Sequence, residues 1–252
     1  MDDTMRMRVL PDRDSLSREV AEHIVRRAKA TVESKGRFTL ALAGGSTPRM
    51  LYTRLATDFA TAMPWDKIHL FWGDERYVPS DDPHSNFHMV HESLLEHIPL
   101  PREHIHPMPT GYAHPEEAAD AHERLLRQHF DGAFPRFDLL LLGLGVDGHT
   151  ASLFPGSPAL AERSRWVVTS RAPVEPHTRL TLTLPVLNHA AHIFFIVAGD
   201  AKADALRCVQ GASGPRPDRC PASAVRPIDG DVAWWLDAVA FNAVNTRTPA
   251  HD

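Results

Sequence analysis

Residues 137–157, FDLLLLGLGVDGHTASLFPGS, set Asp147 and His149 two positions apart directly after an apolar run. An imidazole beside a carboxylate is a candidate general base at neutral pH, and the end of a sheet strand is where open α/β sheets place their sites. The same spacing suits a turn that Asp147 merely caps while His149 packs or faces solvent, and spacing alone leaves the two readings even. A second stretch, ALAGGSTPRM, puts Gly44 and Gly45 in a tight turn before Ser46, Thr47 and Pro48. With Ser46 or Thr47 as N-cap and Pro48 as first helical residue, free backbone N–H groups at the positive end of a helix suit a phosphate; a plain capping turn is the alternative. No G-K-[ST] follows, so this is not a Walker loop. A third stretch, FWGDERYVP, crowds Asp74, Glu75 and Arg76 at another strand end, where the plain reading is a solvated charge cluster. Three polar loops at the ends of three strands point to one crevice.

Gly143, Gly145 and Gly148 also spell G-x-G-x-x-G. A dinucleotide site needs a helix that opens inside those glycines and an acidic residue about 20 positions on. Pro155 and Pro158 interrupt such a helix, and the next strand, RWVVTS, ends on Ser170 and Arg171 rather than an acid. An arginine there suits a 2′-phosphate, so the broken helix is the stronger argument against a nucleotide. His84, His88 and His91 fall at i, i+4 and i+7, a metal-ligand spacing on a helix. Among 16 histidines such spacing arises by chance, no H-E-x-x-H is present, and no metal is expected.

The elements that position these loops follow from apolar periodicity. Leu16, Val20, Ile24, Ala28 and Val32 mark an amphipathic helix from Asp14 to Lys35, with Asp14 or Ser15 as N-cap and Gly36 beyond its end. RFTLALA reads as a strand, the GGSTP turn breaks it, and PRMLYTRLATDFATAM resumes a helical pattern. KIHLFWGDERYVP, FDLLLLG, RWVVTS, RLTLTL, HIFFIVAGD and VAWWLD read as strands; 86–97, 115–130 and AKADALRCVQ read as helices. Short apolar strands alternating with helices predict a three-layer α/β domain whose mostly parallel sheet is covered on both faces. The chain is expected to form a single domain over 1–252, with 211–221 an exposed loop and about 245–252 a frayed tail.

At 252 residues and 43% apolar content the chain can bury a substantial core. A net charge of −5 gives no footprint for nucleic acid or an anionic membrane. Cys208 and Cys220 form neither a C-x-x-C nor a disulfide framework, which fits a reducing compartment. The first residues contain no apolar signal region and no run reaches the ~18 apolar residues of a membrane span, so a soluble, cytoplasmic protein is expected.

LALAGGSTP, WGDERYVPSDDPHSN, LLGLGVDGHTASLFPG, TRLTLTLPVLN and AGDAKADAL, in this order between about residues 38 and 236, together resemble the 6-phosphogluconolactonase family. That family sits in the larger group containing the glucosamine-6-phosphate deaminases. The resemblance implies a Rossmann-like, deaminase-like α/β fold, hydrolysis of 6-phospho-D-glucono-1,5-lactone in the oxidative pentose phosphate pathway, and no cofactor. It implies no nucleic-acid, membrane or obligate protein partner beside the small-molecule sugar phosphate lactone. His149 then becomes the base that activates water, Asp147 orients its ring or binds sugar hydroxyls, and Arg76 faces the developing oxyanion. Asp74 shapes Arg76 and the sugar contacts. The turn of Gly44, Gly45, Ser46 and Thr47 joins Arg179 and Lys202, cations implied by the resemblance alone, around the phosphate. The glycines of GLGVDGH are expected to bring backbone close to the bound sugar phosphate.

The deaminase branch is the nearest alternative. It typically carries D-E-Y where this chain has Asp74-Glu75-Arg76, and D-G-H-I-A-F-N-E-P where this chain has DGHTASLFP. Leu153 and Phe154 thus stand where that branch has Asn-Glu. Ring opening and enolisation of an amino sugar need the extra carboxylate, whereas water opening an activated lactone does not. A non-catalytic sugar-phosphate sensor ranks lower, since no helix-turn-helix extension or basic stripe accompanies the domain.

Overall fold

Phe38–Leu42 and Leu139–Leu142 are buried at every position, so both strands must be covered on both faces, as parallel sheets are. The computed structural model describes residues 6–211 and 216–246. In chain order it runs β1 (Arg6–Leu10), α1 (Arg13–Lys35), β2 (Phe38–Leu42), α2 (Ser46–Thr57), β3 (Ile68–Trp72), β4 (Asp74–Arg76), α3 (Asn86–Ser93), β5 (Ile105–His106) and α4 (Pro115–His129). It continues with β6 (Leu139–Leu142), β7 (Val167–Arg171), β8 (Thr178–Leu182), α5 (Leu184–Leu187), β9 (His192–Val197), α6 (Ala203–Gln210), β10 (Asp231–Asp237) and α7 (Ala238–Thr246). Among the described residues, seven strands form one parallel sheet in the order β1-β10-β9-β6-β2-β3-β5. The expected α/β architecture is therefore present. α1 packs on α2 and on the β1–β10 side, and α7 packs on β10.

Several features depart from the sequence-based expectation. β1 was not legible because RMRVL is an edge strand, mostly exposed, that gains its conformation by pairing with β10. Asp74–Arg76 is a strand in its own right and pairs antiparallel with β8, which pairs with β7, so a small three-stranded sheet stands beside the main one under α4. Helix α1 is capped by Asp12, not Asp14 or Ser15: the Ser15 N–H donates to Asp12 Oδ1 at 2.7 Å. Gly36 ends the helix in the left-handed region, as anticipated, and its N–H donates to Val32 O. Of the 211–221 loop, 212–215 lie outside the described residues, but Cys220 is fully buried, so the segment is not simply exposed. Helix α7 extends to Thr246; the rest of the expected tail, 247–252, lies outside the described residues.

Within α4, His122 is 1% exposed and neither ring nitrogen has a partner among the described residues. Burial, aided by the nearby His106, pushes its pKa down to about 3, so the folded protein holds it neutral. Replacing it with leucine removes two unsatisfied nitrogens, and His122→Leu is expected to raise unfolding free energy by about 1 kcal/mol or more. In the unfolded chain the ring takes a proton below about pH 6.5, while the buried ring does not until about pH 3. The wild type therefore keeps its full contribution above that window and loses it as pH falls, so the variant's advantage must widen from about pH 7.5 to about pH 5. Urea midpoints at the two pH values check this; a constant or shrinking gap would refute it.

Candidate active site

The chain leaves β2 toward β3 and β5 on one side, and β6 returns on the other. Such a switch point parts the loops that follow the two strands and opens a crevice at their carboxyl ends. A hollow of about 350 Å³ lies there, lined by Gly44 and Gly45 after β2, Asp74 and Arg76 of β4, His149 after β6, Arg179 of β8 and Lys202 before α6. Asp147 lines the larger adjoining hollow of about 880 Å³, and Phe154 lines both. Residues 100 or more positions apart thus meet in one place. Ser46 instead lines a different hollow beside Arg49 and Arg54, and Thr47 is not among the crevice-lining residues. Both are already helical: Gly45 is the N-cap of α2, with φ of 108°, and no side chain caps it. Pro48 is consequently the third helical residue rather than the first. The helix N-terminus does adjoin the crevice, through its glycines.

The turn after β6 is built to hold one imidazole. His149 Nδ1 lies 2.5 Å from Asp147 Oδ1, and the His149 backbone N–H donates to the same oxygen at 3.1 Å. Because an ionised carboxylate only accepts, Nδ1 is the donor in this contact, and the neutral ring therefore presents its lone pair at Nε2. Burial pushes the Asp147 carboxyl up, but the hydrogen bond and charge of His149 outweigh it and hold the group below its ordinary value. The His149 ring leans on Phe154 with centroids 4.6 Å apart. Gly145 donates its N–H to His149 O at 2.8 Å, and Thr150 Oγ1 donates to Gly143 O at 2.9 Å, which closes the turn.

Two of the glycines here make room for the protein's own side chains, and Gly143 and Gly145 line the crevice. A Cβ on Gly145 would sit 2.0 Å from His149 Nδ1 and 2.6 Å from Asp147 Oδ1. Gly148 adopts φ of 82°, and its Cβ would meet Cys220 Sγ at 2.9 Å. Cys208 and Cys220 are both free; burial first and the neighbouring Cys208 thiol second push the Cys220 thiol up to about 12, so it packs as a neutral thiol. Gly145→Ala is expected to leave the sheet intact but displace His149, lowering kcat at least about tenfold, since a misplacement of 1 Å can cost 10²-fold. Circular dichroism and steady-state rates on the same preparation check this; unchanged kcat in a folded variant would show that the ring tolerates displacement.

The Asp74-Glu75-Arg76 segment is not the solvated cluster its composition suggests. Glu75 is 1% exposed and accepts from the backbone N–H groups of Arg76, Asn86 and Phe87 at 2.7, 2.7 and 2.8 Å. Burial nevertheless pushes its carboxyl up to about 7 against those donors. It ties β4 to the start of α3, which brings Asn86 beside the crevice. The Asn86 amide donates to Asp74 O at 3.0 Å and fills the space a Cβ on Gly44 would need, 2.0 Å from its Oδ1. Ser152 Oγ donates to Asp74 Oδ2 at 2.6 Å, so Asp74 is held by the His149 loop. Sequence reasoning marked Asn86 only as a helix start and gave Ser152 and Glu75 no site role. Their signal is tertiary, because each acts through a partner between 10 and 78 positions away.

Two arginines face each other across the small sheet: the antiparallel register sets Arg76 directly opposite Arg179. Like charges in that position repel. Arg76 donates from Nη1 to His84 O at 2.7 Å. Arg179 is 5% exposed, and its Nε and Nη1 are buried without a partner among the described residues. Burial first, and the Arg76 charge second, lower its pKa. Lys202, half-buried, is lowered by burial too, with Asp147 opposing. A group of cations short of partners can bind an anion of more than one negative charge. The spaced histidines of HSNFHMVH do not converge: His84 pairs with Asp82, His88 with Glu92 and His91 with Glu96.

Residues 11–234 match the family described as glucosamine-6-phosphate isomerases/6-phosphogluconolactonase. The chain is 43% identical over 220 residues to a 6-phosphogluconolactonase of Synechocystis sp., covering 86% of this chain and 89% of that one. It is 41% identical over 236 residues to a 6-phosphogluconolactonase of Nostoc sp., covering 92% and 95%. Among solved structures, a 6-phosphogluconolactonase from Trypanosoma cruzi matches with a TM-score of 0.86 at 29% identity, covering 96% of this chain and 97% of that one. No described helix is long and apolar enough to cross a membrane.

Proposed function

The chain belongs to the glucosamine-6-phosphate isomerase/6-phosphogluconolactonase family, and from that premise we propose that it hydrolyses 6-phospho-D-glucono-1,5-lactone to 6-phospho-D-gluconate, with His149 as the base. The observation that carries the reading is one crevice holding an imidazole whose Nδ1 is engaged by Asp147, together with a buried guanidinium whose Nε and Nη1 have no partner among the described residues. His149, as neutral imidazole, takes a proton from a water whose oxygen bonds to C1 of the lactone. The carbonyl electron pair moves to the oxygen, and the fixed charge of Arg76 stabilises it without reorganisation. The intermediate then re-forms the carbonyl, the C1–ring-oxygen bond breaks, and the imidazolium returns its proton to the leaving ring oxygen. Asp147 holds the ring in the required tautomer and offsets its transient charge. Arg179 and Lys202 receive the phosphate, and Asp74, fixed by Ser152, contacts sugar hydroxyls. The compartment we assign is the cytoplasm, which fits two cysteines that are both free.

A deaminase needs a further carboxylate near the histidine, and Leu153 and Phe154 are buried apolar groups at those positions. The test is hydrolysis of freshly generated phosphogluconolactone with the spontaneous rate subtracted, beside ammonia release from glucosamine-6-phosphate. Lactone turnover without ammonia is expected. Ammonia release at a comparable rate would favour the deaminase, and tight calorimetric binding of 6-phosphogluconate with no turnover would favour a sensor.

A further inference from the structure

At the opposite end of β3 from the crevice, four histidines far apart in sequence come together. His69 and Phe71 share a face of β3, and the parallel register sets His106 of β5 beside Phe71. His104 precedes β5, and His129 ends α4 over the same face. The ring centroids of His69 lie 4.0 Å from His104, 5.5 Å from His106 and 4.8 Å from His129, with Phe71 stacked on His106 at 4.5 Å. One nitrogen each of His69, His106 and His129 falls within 4.8 Å of the others, and His69 Nδ1 and His106 Nε2 share a hydrogen bond at 3.2 Å. His129 Nε2 and His104 Nδ1 are buried without a partner among the described residues.

The geometry points to a divalent transition-metal site of the zinc class, formed by His69, His106 and His129, that staples the two-residue edge strand β5 and the end of α4 to β3. Nitrogens bound at about 2.0–2.1 Å in a tetrahedron lie about 3.3 Å apart, close to the 3.2 Å pair, and small ring rotations bring the third in. A metal would replace the proton that His69 Nδ1 and His106 Nε2 share, and His129 Nε2 has no partner among the described residues to give up. No carboxylate belongs to the group, and the charge of Arg37 acts on His69 and His129. That donor set suits Zn²⁺, Ni²⁺ or Cu²⁺ and not Mg²⁺ or Ca²⁺, which take oxygen ligands. Solvent can supply the fourth position. His69 and Gly73, where the crevice begins, are four residues apart, roughly 13 Å along a strand, so the role is structural.

The experiment is calorimetric titration of tag-free, chelator-treated full-length protein with ZnCl₂, with thermal midpoints and Co²⁺ absorption recorded in parallel. One equivalent of saturable binding, a raised midpoint and the visible bands of tetrahedral Co²⁺ are expected. His129→Ala and His69→Gln should each weaken Zn²⁺ by about tenfold or more, while exposed His91→Ala should not. Lactone hydrolysis should be unchanged in His129→Ala. His69→Gln keeps size and polarity, so it tests the site should the alanine variant fail to fold. Absence of saturable binding, or equal affinity in the folded variants and wild type, overturns the proposal.

Discussion

His149→Ala lowers kcat for 6-phosphogluconolactone hydrolysis by about 10²- to 10⁴-fold, the usual worth of a positioned general base, while KM changes little. The expectation follows from the geometry of the turn. Nδ1 is committed to Asp147 at 2.5 Å, so only Nε2 can accept the proton of the attacking water. Removing the ring removes that acceptor and the acid proposed to protonate the ring oxygen, yet it leaves the cation group proposed for the phosphate. A loss confined to kcat is the pattern of an interaction made only in the transition state. The lactone opens spontaneously, so the measurement must subtract the uncatalysed rate at each substrate concentration. A folded variant with near-wild-type turnover would remove His149 from the mechanism, and a rise in KM alone would make it a binding residue.

Arg179→Met raises KM for the phosphorylated lactone by about ten- to hundredfold, as expected for loss of hydrogen bonds to a charged group worth about 1.5–3 kcal/mol. Unphosphorylated gluconolactone should be affected little. The same substitution should leave the thermal midpoint of the free protein equal or higher. In the wild type, Nε and Nη1 are buried without partners among the described residues, and burial first and the Arg76 charge second oppose the ionised guanidinium, with Asp74, Glu75 and Glu175 acting the other way. Stability given up in the free protein is recovered when the anion arrives, a trade found at functional sites. Lys202→Ala should show the same substrate dependence to a smaller degree, because Lys202 is only half-buried and stays near Asp147. Equal KM increases on both lactones would mean that Arg179 contacts the sugar ring rather than the phosphate. A large fall in the midpoint would mean that the guanidinium holds the small sheet together.

Much of the architecture was readable from periodicity, because buried strands such as Phe38–Leu42 and Leu139–Leu142 must be continuously apolar whatever their neighbours. The edge strand β1 and the three-residue β4 were not, since neither buries enough of its own surface to leave a pattern; both exist by pairing with distant strands. The candidate site divides in the same way. Asp147 and His149 were visible because their chemistry lies within one turn. Arg179 looked like a surface residue until the β4–β8 register set it against Arg76. Ser46 and Thr47 read as phosphate donors from their position after two glycines; the structure makes them the first two residues of α2 behind the Gly45 N-cap, with Ser46 lining a hollow beside Arg49 and Arg54.

By itself the sequence determined the alternation of strands and helices, the turn that binds Asp147 to His149, and the replacement of an Asn-Glu pair by Leu153 and Phe154. These are properties of residues a few positions apart, where covalent distance and local sterics limit the outcome. Tertiary structure alone decided that Asn86 fills the space beside Gly44, that Ser152 fixes Asp74, that Nε and Nη1 of Arg179 are buried without a partner among the described residues, and that His69, His106 and His129 converge. Each depends on strand order and register, and register is set by the burial of whole faces, which no local stretch of chain contains.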